Sequence, residues 1–302
     1  MKDINIVFVN YKMREDIVKA IDSIFRDLSG SNINAQITVV DNSDNTDGIK
    51  DELDSSLRPP RLSPRSDRVG AGGEAGGNDK LSFNYLDARG NVGFGKGCNI
   101  GFAHTPARYF CTINPDTIIP ENSKTIERII KFMDENPKIG LIGPKLLNTD
   151  GSVQDSCYRF DLSSILIKPL KHINLDKKYK WVKKHADKLE MRDFDHNETR
   201  PVDWIMGSTM IARREACEAI GFFDGRYFMY LEDCDLCHKM WEAGWPVYYV
   251  HDIAIQHKHA RDSAKVRGAL NALVKNKLAR VHLVSWFKYL WKWRKNHKYY
   301  AA

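Results

Sequence analysis

The feature that most constrains the fold is an alternation of apolar runs with amphipathic helical segments in the first third of the chain. The run "INIVFVNY" (4–11) is typical of a strand that is covered on both faces in a parallel sheet. It is followed by "REDIVKAIDSIFRDL" (14–28), whose apolar residues fall on one helical stripe. Further strand patterns are "QITVVDNS" (36–43), "LSFNYLD" (81–87) and "RYFCTINPD" (108–116). The alternation predicts an α/β fold, with a mainly parallel central sheet flanked by helices and a ligand crevice at the carboxyl ends of its strands.

Three segments depart from this alternation. Residues 58–80 are rich in Pro, Gly and Arg, which predicts a mobile surface insertion. Residues 158–200 are strongly charged with a helical pattern, which predicts a second, helical insertion. We therefore expect one domain over residues 1–260 that contains both insertions, followed by a separate helical tail over residues 261–302.

The tail concentrates positive charge. From Arg261 to the end there are eleven Lys or Arg residues and one acid, Asp262, whereas the whole chain has a net charge of +7. Apolar residues recur between the cations, so we predict an amphipathic helix that contacts an anionic membrane surface through residues 270–296. A helix docked on its own domain or a homodimer interface would explain the apolar stripe equally well. We expect no nucleic-acid partner, because no recognised binding motif accompanies the charge.

The six cysteines form no spacing that suggests a disulfide framework, which favours a reducing compartment. The N-terminal "MKDINIVFVNYK" lacks the long apolar core of a signal peptide. No run approaches the roughly 20 apolar residues that a membrane-spanning helix needs. We expect a cytoplasmic protein that is neither exported nor integral to a membrane.

Three acidic or amide clusters fall where strands are expected to end: "VVDNSDN" (39–45), "INPDT" (113–117) and "YLEDCD" (230–235). Carboxylates at strand ends can contact a base or ribose, or hold Mg²⁺ or Mn²⁺ beside a diphosphate. The loop "GNVGFGKGCNIG" (90–101) would let the backbone approach a phosphate, or would only cap a helix. Its glycines do not match the dinucleotide-binding spacing at the first strand, and a Walker A loop is absent, which argues against a dehydrogenase.

The densest cluster is "EDCDLC", and its residues alone leave three interpretations open. Glu232, Asp233 and Asp235 could form a metal cluster, supply a catalytic acid or base, or be acids at a helix N-terminus. Cys234 and Cys237 have the C-x-x-C spacing of zinc and redox sites. No second such pair exists, so we expect these cysteines to pack beneath the site rather than to bind zinc.

Five segments follow one another along the chain: "FVNY", "VVDNS", "GNVGFGKGCNIG", "INPDT" and the long block 202–245. In this order they resemble glycosyltransferase family 2, and most of all its bacterial rhamnosyltransferase branch. The resemblance covers roughly residues 3–260 apart from the two insertions. It implies a GT-A fold, which is Rossmann-like, here with a C-terminal amphipathic helical extension. It also implies an inverting, metal-dependent transfer from a nucleotide-diphosphate sugar with Mg²⁺ or Mn²⁺ as cofactor.

The resemblance also implies roles for individual residues. Those expected to bind the donor nucleotide are Asn10, Tyr11, Asp41, Asn91, Gly93 and Asn114. Asp116 and His257 are the expected metal ligands, although Asn114 replaces the first Asp of the family's D-x-D motif and His257 could instead be an ordinary loop histidine. Asp233 is the expected catalytic base, with Glu232 as its rival.

On the acceptor side the resemblance implies Asp203 and Trp204, with core burial as the equal alternative for Trp204. Arg213 and Arg214 are further candidates to contact acceptor or diphosphate charge, and a solvated surface is their alternative.

The expected reaction moves L-rhamnose from dTDP-β-L-rhamnose to a saccharide acceptor linked to a polyprenyl diphosphate. It would take place at the inner face of the bacterial cytoplasmic membrane, during assembly of a cell-surface polysaccharide such as O-antigen. One alternative is a UDP-sugar transferase that moves a hexose or galactofuranose, because Asp41 would meet the same edge of thymine and uracil. An alternative from another class is a non-catalytic nucleotide-binding or nucleic-acid-binding protein.

Overall fold

The computed structural model describes residues 1–56, 80–160, 167, 175–192, 194–258, 277–296 and 300. The predicted surface insertion at 58–80 therefore lies outside the described residues except for Lys80. The predicted helical insertion at 158–200 is described apart from 161–166, 168–174 and 193. The predicted tail at 261–302 is described over 277–296 and at Tyr300.

Strands β1 to β11 of the described chain span, in order, Lys2–Asn10, Ala35–Asp41, Leu81–Asp87, Ala107–Ile113, Thr117–Ile118, Leu141–Leu147, Cys157–Tyr158, Arg200–Pro201, Trp204–Ile205, Thr209–Arg213 and Val247–His257. Helices α1 to α9 span, in order, Arg14–Asp27, Ile49–Ser56, Phe94–His104, Thr125–Glu135, Leu175–Lys178, Lys180–Leu189, Arg214–Ile220, Glu232–Glu242 and Lys277–Trp293.

The strands form a central sheet in the order β3-β2-β1-β4-β10-β6-β11-β5, with β8 paired to β11, while β7 and β9 form a separate pair. Strands β1 to β4 run parallel to one another, and β6 runs parallel to β11. Strand β10 is antiparallel to both of its neighbours, β4 and β6. The predicted α/β fold with a mainly parallel sheet is therefore confirmed. Because β10 is reversed, its amino end lies at the edge where β1 to β4 end.

Helices cover both faces of the sheet, which explains why its inner strands are apolar on both sides. On one face, Ile21 of α1 and Ile129 of α4 belong to one buried cluster with residues of β1 and β2, and α4 contacts β11. On the other face, α3 lies so close to β1 that a Cβ on Gly97 would stand 2.9 Å from Val9, and one on Gly101 would stand 2.6 Å from Val7. These two glycines of the "GNVGFGKGCNIG" segment thus serve helix packing and not a phosphate contact.

The tail helix α9 packs on the domain that precedes it. Ser285 is buried and its hydroxyl donates to the carbonyl of Met229, and Trp293 stacks on His238 with ring centroids 3.6 Å apart. The tail helix therefore docks on its own domain through Ser285 and Trp293, whereas Val284, Phe287 and Trp291 of its apolar stripe stay exposed. Within the described residues, no helix is both long enough and apolar enough to cross a membrane.

Candidate active site

The polar residues that end β1 and β2 meet at one edge of the sheet. Asn10 and Asp41 are partners in the parallel register. Both are fully buried, and the Asn10 amide donates to the Asp41 carboxylate at 2.8 Å. Tyr11, the next residue, is half exposed. The sheet therefore brings together the first three predicted nucleotide-binding residues, and the aromatic ring is the one that faces solvent.

The carboxylate of Asp41 organises the loop that follows β2. Besides Asn10, it accepts hydrogen bonds from the backbone and hydroxyl of Ser43, the backbone of Asn45 and the hydroxyl of Tyr85. Burial raises the pKa of Asp41, but the hydrogen bonds from Ser43, Asn45 and Asn10 outweigh it, so its pKa is lowered. Every described bond of this carboxylate is internal. A direct contact between Asp41 and a base stays a prediction.

The glycine loop before α3 is held against the segment that leads into α8. Gly93 has a φ of 89°, and a Cβ there would stand 2.1 Å from the carbonyl oxygen of Phe228. That carbonyl accepts from the backbone N–H of Phe94 at 3.0 Å. Asn42 donates to the Gly93 carbonyl, and Asn91 accepts from the Gly93 N–H. Gly93 is therefore required by backbone conformation and by close approach.

Asp116 and His257 meet although they are far apart in sequence. The short strand β5 pairs with β11 so that Thr117, the neighbour of Asp116, stands opposite His257. His257 Nε2 lies 3.3 Å from Asp116 Oδ1, and both side chains are buried. On its other side, His257 Nδ1 lies 2.7 Å from Gln154 Oε1. Gln154 uses its amide N–H to donate to Asn148 Oδ1, so its oxygen faces the histidine as an acceptor.

This arrangement suits a divalent metal. With the proton of the neutral imidazole on Nδ1, the lone pair of Nε2 faces the carboxylate of Asp116. Adjacent ligand atoms of an octahedral Mg²⁺ stand about 3.0 Å apart. This is close to the 3.3 Å between His257 Nε2 and Asp116 Oδ1. No group of three or more His, Cys, Asp or Glu side chains that could hold a metal occurs among the described residues. A metal here would thus take two protein ligands and complete its shell with substrate oxygens and water.

Gln154 gives a testable consequence of this geometry. Replacing Gln154 with Leu removes the acceptor that fixes His257, so we expect Mn²⁺ affinity in the presence of a nucleoside diphosphate to fall about 10- to 100-fold. Titration calorimetry of the purified protein measures this. Gln154→Glu keeps an acceptor for Nδ1–H and should retain most of the affinity. Equal Mn²⁺ affinity in Gln154→Leu and wild type would contradict the assigned role.

Asp233 lies at the start of α8. Its carboxylate accepts from the backbone N–H of Gly207 and of Cys234, both at 2.8 Å. The carbonyl of Ser208, next to Gly207, accepts from the N–H of Asn114 at 2.8 Å. The reversed strand β10 therefore links the predicted base to the segment that carries Asp116. Asp233 is partly exposed, as a group that meets an acceptor must be.

Glu232 lies in a different environment on the same helical turn. It is only 6% exposed, its Cβ packs against Gly95, and no described residue forms a hydrogen bond with its Oε2. Burial, reinforced by the charge of Asp233, raises the pKa of Glu232 to about 8. At neutral pH Glu232 is therefore mostly a neutral acid.

The raised pKa predicts a pH dependence of folding. An acid whose pKa rises from 4.5 unfolded to about 8 folded loses stability as the pH climbs through that window, with a slope of up to about 1.4 kcal/mol per pH unit. Glu232→Gln removes this contribution, so its thermal midpoint should fall less than that of wild type between pH 5 and 8. Scanning calorimetry across this range measures it, with Glu127→Gln as an exposed control. Parallel curves for Glu232→Gln and wild type would refute the assignment.

Asp235 points away from the site. It is fully buried, and its carboxylate accepts from Lys292 Nζ at 2.7 Å and from the indole N–H of Trp293 at 2.8 Å. Cys234 and Cys237 are buried and form no disulfide with another described residue, as predicted for packing residues, and burial raises the pKa of Cys237 well above its ordinary value. The "EDCD" motif is thus neither a metal cluster nor a row of equivalent helix acids.

The two residues predicted on the acceptor side, Asp203 and Trp204, lie in the protein interior. Asp203 is fully buried, and its oxygens accept from the backbone N–H groups of Phe160 and Tyr300. Trp204 is buried against Tyr158, with ring centroids 4.5 Å apart, which favours the core alternative. Both side chains are thus engaged in interior contacts, and a contact of either with an acceptor stays a prediction.

The two arginines predicted to contact acceptor or diphosphate charge have partners within the protein. Arg213 donates to the carbonyls of Met133, Asn136 and Ile139, and Arg214 pairs with Glu218, where α7 begins. Because β10 runs antiparallel, its carboxyl end lies at the opposite edge of the sheet from Asp116 and Asp233.

Sequence reasoning missed Gln154 and Gly207. Gln154 follows β6 in a loop with no motif, and only its pairing with His257 gives it a role. Gly207 lies three residues after Trp204 in the motif-bearing block 202–245, but its contribution is a backbone N–H, which residue identity does not reveal. A Cβ on Gly207 would stand 3.1 Å from the Cβ of Asp233, so its identity is set by this close approach.

A family model described as "Glycosyltransferase like family 2" matches residues 93–282. The N-acetylglucosaminyl-diphospho-decaprenol L-rhamnosyltransferase of Mycobacterium tuberculosis is 31% identical over 156 residues, which cover 50% of this chain and 47% of that protein. Rhamnosyltransferase WbbL of Escherichia coli K12 is 37% identical over 89 residues, which cover 30% of this chain and 31% of that protein. The chain thus spans half or less of the length of these two curated relatives.

Among solved structures, GalNAc-T7 with UDP, GalNAc and Mn²⁺ has a TM-score of 0.56 at 13% identity, covering 85% of this chain and 44% of that chain. At this identity the likeness concerns the fold alone. The GT-A fold implied by the sequence resemblance is confirmed.

Proposed function

The chain belongs to glycosyltransferase like family 2, and on that premise we propose that it moves a sugar from a nucleotide-diphosphate donor to an acceptor hydroxyl with inversion of the anomeric centre. One observation carries the proposal. The partly exposed carboxylate of Asp233 is held by Gly207, whose neighbour Ser208 is bonded to Asn114, two residues before Asp116. This chain of contacts supports a base that would act near a metal–diphosphate site.

Asp233 acts as the base in this proposal. The acceptor oxygen forms a bond to the anomeric carbon while the bond from that carbon to the diphosphate oxygen breaks. The leaving electron pair goes to the diphosphate, and the acceptor proton goes to Asp233. The N–H groups of Gly207 and Cys234 hold the carboxylate in place, which limits its rotation. Glu232, as a neutral acid, adds no second negative charge.

Asp116 and His257 would hold Mg²⁺ or Mn²⁺, with Gln154 orienting the histidine. When bound, the metal would neutralise charge that develops on the departing diphosphate. Asn114, in place of the first Asp of the D-x-D motif, offers one negative charge fewer. Such a site suits Mg²⁺, which commonly uses one or two carboxylates together with phosphate oxygens.

The donor pocket would be formed by Asn10, Tyr11, Asp41 and the loop from Asn91 to Gly93, together with Asn114. Tyr11 is exposed and can stack on a base, while Asp41 acts mainly by holding the loop from Asn42 to Asp47. For the donor we propose dTDP-β-L-rhamnose, because two relatives are named as rhamnosyltransferases. A UDP-sugar transferase is the rival, since thymine and uracil share the edge that these residues would meet.

For the acceptor we propose a saccharide linked to a polyprenyl diphosphate. The name of the Mycobacterium tuberculosis relative describes such an acceptor. A lipid-linked acceptor would require the enzyme to work at the inner face of the bacterial cytoplasmic membrane, as a peripheral protein in cell-surface polysaccharide assembly.

The proposal is tested by incubating the protein with a panel of dTDP- and UDP-sugars, with Mg²⁺ or Mn²⁺ and a short prenyl-diphosphate-linked saccharide. Release of nucleoside diphosphate is then measured. Turnover of dTDP-rhamnose alone supports the full proposal, and turnover of a UDP-sugar keeps the reaction but corrects the donor. If no donor in the panel binds, the proposal fails.

A further inference from the structure

The tail helix α9 presents an apolar stripe to solvent. Leu283, Val284, Phe287 and Trp291 are between 40% and 71% exposed. At about 100° per residue these four positions fall within roughly one third of the helix circumference. They therefore form one continuous face, here called the outer face, which no described residue covers.

The opposite face of α9 is locked to the domain. Lys292 bridges the carboxylates of Asp224 and Asp235, at 2.9 and 2.7 Å. Tyr289 pairs its hydroxyl with His238 Nδ1 at 2.9 Å, and Lys288 donates to the carbonyl of Arg226. These bonds fix the rotation of α9 about its axis. The outer face consequently cannot turn inward, and its exposure is a property of the folded domain.

Positive charge surrounds the outer face. The described tail segment 277–296 contains no Asp or Glu. Lys277, Arg280, Arg294 and Lys295 are exposed, and the guanidinium of Arg294 lies 4.3 Å from the centroid of the Trp291 ring. Exposed aromatic residues amid cations match the boundary of a bilayer, where rings lie at headgroup level and cations meet anionic lipid.

We propose that the outer face of α9 docks on an anionic lipid surface, with Phe287 and Trp291 entering the headgroup region. A second copy of the chain fits less well, because a two-fold interface would set the same cations against each other. A nucleic acid would leave the apolar stripe without a partner. An anionic bilayer satisfies both the stripe and the charge.

The side of α9 opposite the outer face contacts the elements that carry the candidate active site. The inner face of α9 contacts Asp235 on α8, and Ser285 donates to Met229 in the segment that enters α8. The carbonyl of Phe228 in that same segment meets Gly93 and Phe94 of the donor loop. The helix that would touch lipid therefore also contacts α8 and the segment before it, and that segment contacts the donor loop. This inference goes beyond the transfer reaction, and vesicle binding measures it without any sugar donor.

The test is sedimentation of the full-length protein with vesicles of phosphatidylcholine alone or mixed with phosphatidylglycerol. Wild type should bind the anionic vesicles, and binding should weaken with added salt. Phe287→Ser combined with Trp291→Ser should lower that binding at least about tenfold, as expected from the loss of two interfacial aromatic rings. Trp181→Ser, which changes an exposed aromatic residue on α6, should bind like wild type.

Equal thermal midpoints of the double variant and wild type exclude unfolding as the cause of any loss. Wild-type affinity of the double variant would overturn the proposal. It would also be overturned if wild type ignored anionic vesicles and light scattering showed a dimer that the double variant does not form.

Discussion

Replacing Asp233 with Asn should lower the turnover number for sugar transfer by about 10²- to 10⁴-fold, the usual range for loss of a positioned base. The amide has the shape of the carboxylate and can still accept one of the two backbone bonds from Gly207 and Cys234. It cannot take the acceptor proton. Donor affinity, measured by calorimetry with the nucleoside diphosphate and metal, should stay within about twofold of wild type.

Glu232→Gln is the matched control for this variant, because it makes the same chemical change one residue earlier. Glu232 is already largely neutral at pH 7, so its amide variant should retain most of the turnover at that pH. A loss in Glu232→Gln that equals or exceeds the loss in Asp233→Asn would transfer the role of base to Glu232.

Replacing Asp116 or His257 with Ala should remove metal-dependent donor binding and lower kcat/KM by about 10²- to 10³-fold. The physical reason is that charge on the leaving diphosphate would lose a stabilisation of several kcal/mol. Calorimetry with the nucleoside diphosphate, with and without Mn²⁺, separates binding from turnover. In wild type the metal should strengthen nucleotide binding, and in both variants it should have little effect.

His251→Ala is the control for the metal prediction, since His251 lies on the same strand as His257 but pairs with Thr199. Its nucleotide binding should depend on Mn²⁺ as in wild type. Unchanged metal dependence in both Asp116→Ala and His257→Ala would place the metal elsewhere or remove it from the reaction.

The strands were predictable because local pattern determines them. Strand β3 spans the predicted residues 81–87, and β1 and β2 end at Asn10 and Asp41, one and two residues before the predicted ends. A strand that is buried on both faces has a continuous apolar run, which can be recognised in the sequence without knowledge of the three-dimensional structure. Asp116 and His257 are 141 positions apart in the numbering, and only the family resemblance predicted that they act together. Local sequence could not predict this, because the pairing of β5 with β11 forms only in the folded domain.

The direction of β10 was not predictable from its own residues. The residue pattern of an apolar strand is the same whether its neighbours run parallel or antiparallel to it. Only the assembled sheet shows that β10 is reversed. That reversal brings Gly207 to the site and carries Arg213 away from it. Similarly, the three acids of "EDCD" differ because of partners far along the chain. Gly95 packs on Glu232, Gly207 bonds Asp233, and Lys292 bonds Asp235.

The most direct test of the central claim is the anomeric configuration of the product, read by NMR from the one-bond carbon–hydrogen coupling of the transferred sugar. With dTDP-β-L-rhamnose as donor, a single displacement with Asp233 as base predicts an α-linked rhamnosyl product. If another donor is used, the product should likewise have the configuration opposite to that donor. A product that retains the donor configuration would contradict the mechanism proposed for this site.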